Sequence, residues 1–291
     1  MVYDFKQAIE DKFEEIAEKN EHPEILDNLY IKTNYDFLDT HLGLIKGGDF
    51  GIIVGRPGEG KTSIALNIMM NNTKNKKKVL YVSLSEKRDT IINKLISSIT
   101  GIRYLNIDSG NMSDDGFARV GYAIEELSKM NIFIEEGKEI NGSLNKLIEK
   151  IKELVSKESI DLVIVDYIQL LYNDEKENRV QEMSNKSRKL KYLALELDIP
   201  IIVVSQMTRN IENRLNREPK LYDLRDSGSL EEDADFVIAL SSIEQKEERF
   251  EDSNRSLLNI HILKNRRGPI LKKEFIFEKE FFKIIKNDDY F

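Results

Sequence analysis

The clearest chemistry in this sequence lies in Gly55-Arg56-Pro57-Gly58-Glu59-Gly60-Lys61-Thr62, set between the apolar run 50–54 and a helical stretch at 63–70. Glycines at both ends permit a tight turn whose N–H groups aim at a chain of phosphates, and the following helix adds the positive end of its dipole. Lys61 would supply a point charge to β- and γ-phosphates, and the Thr62 hydroxyl suits a magnesium ion. Gly55, Pro57, Gly58, Gly60, Lys61 and Thr62 are therefore the expected nucleotide contacts. A Gly-rich turn that binds nothing is the alternative, but this spacing arises by accident in a chain of 291 residues only on the order of 1% of the time.

Three further strand ends carry polar groups. Leu162-Val163-Ile164-Val165 runs into Asp166, where a carboxylate can support a magnesium ion through water. Ser83-Leu84-Ser85-Glu86 offers a carboxylate that could polarise an attacking water, and Ser205-Gln206 an amide that could sense a γ-phosphate. From spacing alone, strand-terminal solvation explains the last two equally well.

The elements that must position these groups alternate. Short apolar runs at 49–54, 78–84, 132–135, 162–166, 201–205, 236–240, 257–263 and near 273–277 read as strands, several of them continuous enough to be buried on both faces. Helical patterns at 63–71, 89–100, 114–129, 144–156 and 180–197 supply the crossovers. The fold class is thus α/β with a mostly parallel sheet and helices on both faces, its ligands bound beyond the carboxyl ends of the strands. Ahead of it, Phe5, Ile9, Phe13 and Ile16 recur at helical spacing, so residues 3–19 form an amphipathic helix that must dock on its own globule or on another subunit. The expected division is 1–22 for this helix and 23–291 for the α/β fold that carries the phosphate loop.

Composition excludes several classes. The chain has no cysteine, so it holds no disulfide, thiol nucleophile or thiolate metal site, and its three histidines are scattered. A net charge of −8 argues against a general nucleic-acid coat but permits a local basic channel. The basic clusters at 74–78, 209–217, 264–267 and 272–273 each read first as solvated faces. With no membrane span and no signal layout at the start, the cytoplasm is the expected compartment.

Further segments carry a family resemblance. Asp166-Tyr167-Ile168-Gln169-Leu170-Leu171, Glu177-Asn178-Arg179 with Gln181-Glu182, the helix from Ser187 to Pro200, Ser205-Gln206-Met207-Thr208-Arg209, Asp223-Leu224-Arg225-Asp226-Ser227-Gly228-Ser229 and Lys264-Asn265-Arg266-Arg267-Gly268-Pro269 stand in the order found in the C-terminal ATPase domain of DnaB-like replicative helicases. The chain resembles that RecA-like domain over about 30–280. The resemblance implies a ring-shaped motor, expected as a hexamer, that hydrolyses ATP with Mg2+ and moves along single-stranded DNA to unwind duplex. It makes Gln206 the γ-phosphate sensor, and Lys264 and Arg266 fingers reaching the neighbouring subunit's nucleotide, so that hydrolysis depends on subunit packing. Arg225, Asp226 and Gly228 match the loop that grips DNA phosphates, and the 172–182 loop with Lys176 and Arg179 would line the same channel. The 3–19 helix resembles the linker helix that packs on the next subunit, and a helicase loader or primase becomes an expected partner.

Three departures qualify the resemblance. Where the family reads F-S-L-E-M, with Glu as catalytic base, this chain reads Val82-Ser83-Leu84-Ser85-Glu86, so Glu86 acts from one position later or the base is absent. Lys94 stands where an Arg facing the phosphates is expected, keeping the charge but not the planar fork. No collar domain precedes the ATPase fold in this sequence. These departures keep a second reading open, a weakly hydrolysing ATP-binding protein that regulates or loads a helicase; a RecA-type recombinase fits the 223–229 and 264–269 segments less well.

Overall fold

Strands buried on both faces organise the molecule, seen here in a computed structural model that describes residues 4–173, 178–214, 218–224, 228–243 and 254–287. The strands are β1 (Phe50–Gly55), β2 (Val79–Ser83), β3 (Ile132–Glu136), β4 (Leu162–Asp166), β5 (Ile201–Gln206), β6 (Phe236–Ser242), β7 (Arg255–Asn265), β8 (Lys272–Glu278) and β9 (Lys283–Lys286). They form one sheet in the order β3-β2-β4-β5-β1-β6-β7-β8-β9. From β3 to β6 every pairing is parallel, whereas β6 to β9 continue antiparallel. Successive residues of the parallel strands supply opposite faces: Ile53, Tyr81, Ile164 and Val204 enter one core, and Ile52, Val54, Val82, Val165 and Val203 the other. This double burial is why these strands read as unbroken apolar runs.

The helices are α1 (Phe5–Glu21), α2 (Ile25–Leu29), α3 (Asp36–Leu42), α4 (Lys61–Lys74), α5 (Arg88–Thr100), α6 (Tyr104–Ser109), α7 (Asp114–Ser128), α8 (Leu144–Glu158), α9 (Arg179–Leu197) and α10 (Gly228–Asp233). The periodic helices and the strands lie where the sequence places them, within a few residues. The short helices α2, α3, α6 and α10 are additions to the sequence pattern, because fewer than two turns carry no readable period. Strand β9, Lys-Ile-Ile-Lys, is an addition for the same reason: only two apolar residues mark it. One boundary needs correction: 179–182 is the first turn of α9, capped by the Asn178 side chain, and not part of a loop.

Helix α1 leaves its apolar stripe in solvent, with Phe5, Ile9, Phe13 and Ile16 all more than half exposed. Lys19, near its end, donates to the Tyr30 hydroxyl at 2.7 Å and ties it to the segment that follows. Docking on the chain's own core is therefore not what this structure shows. Among the described residues no helix is long and apolar enough to cross a membrane.

Candidate nucleotide site

The parallel register brings the candidate groups to one edge of the sheet. Gly55 at the end of β1 is paired with Gln206 at the end of β5, and Ser83 at the end of β2 with Asp166 at the end of β4. The loop 56–60, the Glu86 turn, Asp166 and Gln206 thus all emerge at the carboxyl ends of the strands, where the fold class places ligands.

The phosphate loop turns through Gly58 and Gly60, both at φ +82°, a conformation that other L-residues adopt only with strain. Gly60 opens α4 without any side-chain cap, so the first N–H groups of that helix are presented to the loop. Lys61 is partly buried and donates to the Arg56 carbonyl at 2.8 Å; burial pushes its pKa down, against the pull of Glu59 and Asp166. Glu59 accepts from the backbone N–H of Arg56 and, at 3.2 Å, of Ser242, which pins the loop to β6; burial pushes its carboxyl up. The Arg56 guanidinium donates to Glu212 at 2.6 Å and to the Met207 carbonyl at 3.0 Å, tying the loop to the segment after β5.

Asp166 is the centre of a buried network. Its Oδ2 accepts from the Thr62 hydroxyl at 2.7 Å and from the Tyr81 hydroxyl at 2.7 Å. Burial raises its pKa while those two bonds oppose the rise, and the nearby charge of Glu86 adds to it. The Gln206 backbone is held by Gln169, whose side-chain amide donates to the Ser205 hydroxyl at 2.8 Å and whose side-chain carbonyl accepts from the Gln206 backbone N–H at 3.3 Å. Glu86 does not hang in solvent. Its carboxylate accepts from Lys94 at 2.6 Å, and its carbonyl accepts from the Ser83 hydroxyl at 2.7 Å. Beside this group lies a pocket of about 370 Å³, lined by Gly58, Lys61, Thr62, Lys94, Phe277 and Phe282 among others.

Lys264 and Arg266 lie elsewhere. Strand β7 runs antiparallel to β6, and Lys264 pairs with Val237, which is itself level with Ile52 of β1. Lys264 is thus about 10 Å short of Gly55 along the strands, towards their amino ends. Arg266, just past β7, is half-exposed and sits beside Asp235 at 3.3 Å. Lys264 donates to the Glu231 carbonyl and, at 3.1 Å, to that of Glu232, and Arg266 to the Glu232 carbonyl at 2.8 Å. These carbonyls sit near the negative end of α10, which attracts cations. Both side chains therefore face away from this chain's own phosphate loop. Gly228 begins α10; Arg225 and Asp226 lie outside the described residues, as do Lys176 and the Arg179 side chain.

Over residues 30–286 the chain matches the family described as DnaB-like helicase C terminal domain. It belongs to that family. Among curated proteins it is 33% identical over 242 residues to a probable plasmid replicative DNA helicase of Chlamydia psittaci, covering 82% of this chain and 52% of that protein. It is 32% identical over 258 residues to the replicative DNA helicase DnaC of Bacillus subtilis, covering 88% and 56%. Among solved structures, one described as an ATPase domain superposes with a TM-score of 0.86 at 28% identity, covering 98% of this chain and 99% of that one. A DnaB-like replicative helicase, studied with its interactions with primase, gives 0.85 at 28% identity over 97% and 68%. The chain spans about half the length of the curated relatives. The fold is the RecA-like one expected of this DnaB-like domain.

Sequence reasoning passes over several of the groups just described. Tyr81 reads as a core strand residue, Arg56 and Glu59 as loop positions and Phe277 as a strand apolar, while Phe282 falls in no expected element. Gln169 stands inside a recognised motif but carries no expected role, because nothing local says that it reaches β5.

Proposed function

We propose that this DnaB-like domain is a magnesium-dependent ATPase that assembles as a ring, expected as a hexamer, and moves along single-stranded DNA to unwind duplex. The observation that carries the reading is the division of its charged groups. Lys61, Thr62–Asp166, Glu86 and Gln206 gather at one edge of the sheet, while Lys264 and Arg266 lie towards the other. A site completed by cations of a neighbouring subunit explains why the two sets are apart.

The donors fit a magnesium triphosphate: hard oxygens from Thr62 and Asp166, an ammonium at Lys61, and the uncapped N–H groups of α4. Thr62 would bind the metal directly and Asp166 through water; the bound metal would neutralise charge on the phosphoryl oxygens. Lys61 leaves the Arg56 carbonyl for the phosphates. Glu86 accepts the proton of the attacking water, and Gln206, held by Gln169, reports the terminal phosphate. Arg266 and Lys264 of the adjoining copy would stabilise the charge that spreads over the transferred group. The exposed stripe of α1 suits packing on that copy, which supports dividing the chain at residue 22, and the 225–228 segment is the expected grip on DNA. A helicase loader or primase is the further partner class, and the cytoplasm the expected compartment.

Hydrolysis stimulated by single-stranded DNA, together with strand displacement, tests the proposal; purified protein with Mg-ATP that shows neither would overturn it. The pairing of Glu86 with Lys94 favours a second reading, an ATP-binding protein with little turnover that regulates or loads a helicase. In that case turnover stays near background with DNA present.

A further inference from the structure

Two departures noted separately in the sequence meet in space. Glu86, one position late, and Lys94, a lysine eight residues on, form an ion pair in which Nζ contacts both carboxylate oxygens, one of them at 2.6 Å. The Lys94 side chain is 10% exposed and that of Glu86 29%, so this is not a solvated surface pair. Lys94 also lies over the Phe282 ring at 5.0 Å, and it lines the same pocket as Lys61 and Thr62. Its ammonium is therefore shared between two claims: the carboxylate it holds now, and any anionic group that enters the pocket beside the phosphate loop.

We propose that Lys94 is a positioning residue that holds Glu86 until a triphosphate takes the ammonium from it, so that the water-polarising carboxylate becomes available only when a terminal phosphate is bound. Lys94 has three donors on one compact charge and can exchange one anion for another at little geometric cost, which a planar guanidinium cannot do as freely. In the resting pair both carboxylate oxygens accept from the ammonium, which neutralises the charge that would polarise a water. Once the ammonium turns to phosphate, the Glu86 carboxylate is left near the buried charge of Asp166, which already feels it. That repulsion favours moving outward, to where an attacking water would stand. A diphosphate lacks the terminal phosphate that would take the ammonium, so on this proposal Glu86 stays held after product forms.

The inference rests on ATP binding at Lys61 and Thr62, and binding is what tests it. ATP must break the pair in order to use Lys94, so removing the carboxylate removes that cost. Glu86→Gln should tighten binding of the magnesium complex of a non-hydrolysable ATP analogue on the order of tenfold at equilibrium, measured with the full chain so that nothing is hydrolysed. ADP affinity should stay within twofold. In a Lys94→Met background the same Glu86→Gln change should leave ATP affinity unchanged, while Lys94→Arg should restore part of the effect. Simple repulsion between Glu86 and phosphate predicts instead that Glu86→Gln tightens ATP equally with and without Lys94; that result overturns the inference, as does equal tightening of ADP. If ATP does not bind the unmodified chain at all, the proposed function falls, and this reading of Lys94 with it.

Discussion

Removing one oxygen atom from Tyr81 tests how the Asp166 carboxylate is held. Tyr81 and Asp166 are 0% and 4% exposed, and the phenol donates to the carboxylate at 2.7 Å. Burial and the charge of Asp166 push the phenol's pKa well above its ordinary value, so it stays a donor at any working pH. Tyr81→Phe keeps the ring in the core and leaves a gap too small for water, so nothing replaces the lost bond. A hydrogen bond to a charged group contributes about 1.5–3 kcal/mol net, and here the acceptor stays buried with Thr62 as its remaining hydroxyl partner. We expect a loss of about 2 kcal/mol, which for a domain of this size lowers the thermal midpoint by roughly 3 °C. The assay is thermal unfolding of both proteins without magnesium or nucleotide, at matched concentration. A shift below about 1 °C would show that Asp166 does not depend on this bond, and would refute the account of the network.

Three other outcomes follow from the geometry. Arg266→Ala should abolish DNA-stimulated turnover while nucleotide affinity changes less than threefold, since Arg266 lies far from its own phosphate loop; lost binding in an equilibrium titration would contradict a role in trans. Glu86→Gln should reduce turnover by at least a hundredfold if Glu86 is the base, whereas a gain of turnover on Ser85→Glu would instead favour the weakly hydrolysing reading. His261, buried and 2.8 Å from the Ser241 hydroxyl, has its pKa pushed down to about 4, first by burial and also by Lys272, against the pull of Glu218. The unfolded chain takes up this proton near pH 6.5 and the folded one only near 4, so stability is kept above pH 6.5 and lost as pH falls towards 4. The loss is roughly 3 kcal/mol, and a His261→Gln variant followed by urea unfolding across that range should lack this part of the pH dependence.

Much of this is legible in the chain itself, and for local reasons. A phosphate loop is built within eight consecutive residues by glycine stereochemistry and a helix start, so its spacing states its geometry. Strands buried on both faces announce themselves as apolar runs, and the long amphipathic helices by their period. Short helices and β9 carry too few residues for either signal.

What the linear order could not supply was proximity. Sequence alone set the phosphate loop, the α/β class, the family resemblance and the suspicion attached to Glu86 and Lys94 as two separate substitutions. Only the tertiary structure made them one pair, because the turn after β2 and the first turns of α5 meet over the same pocket. Only the sheet order set Tyr81 and Thr62 on one oxygen of Asp166, since β2 and β4 are neighbours in space while 85 residues separate Tyr81 from the carboxylate it bonds. And only the reversal of β7 carried Lys264 and Arg266 away from their own chain's 55–62 loop, because an antiparallel strand must finish at the end of the sheet where its parallel neighbour begins.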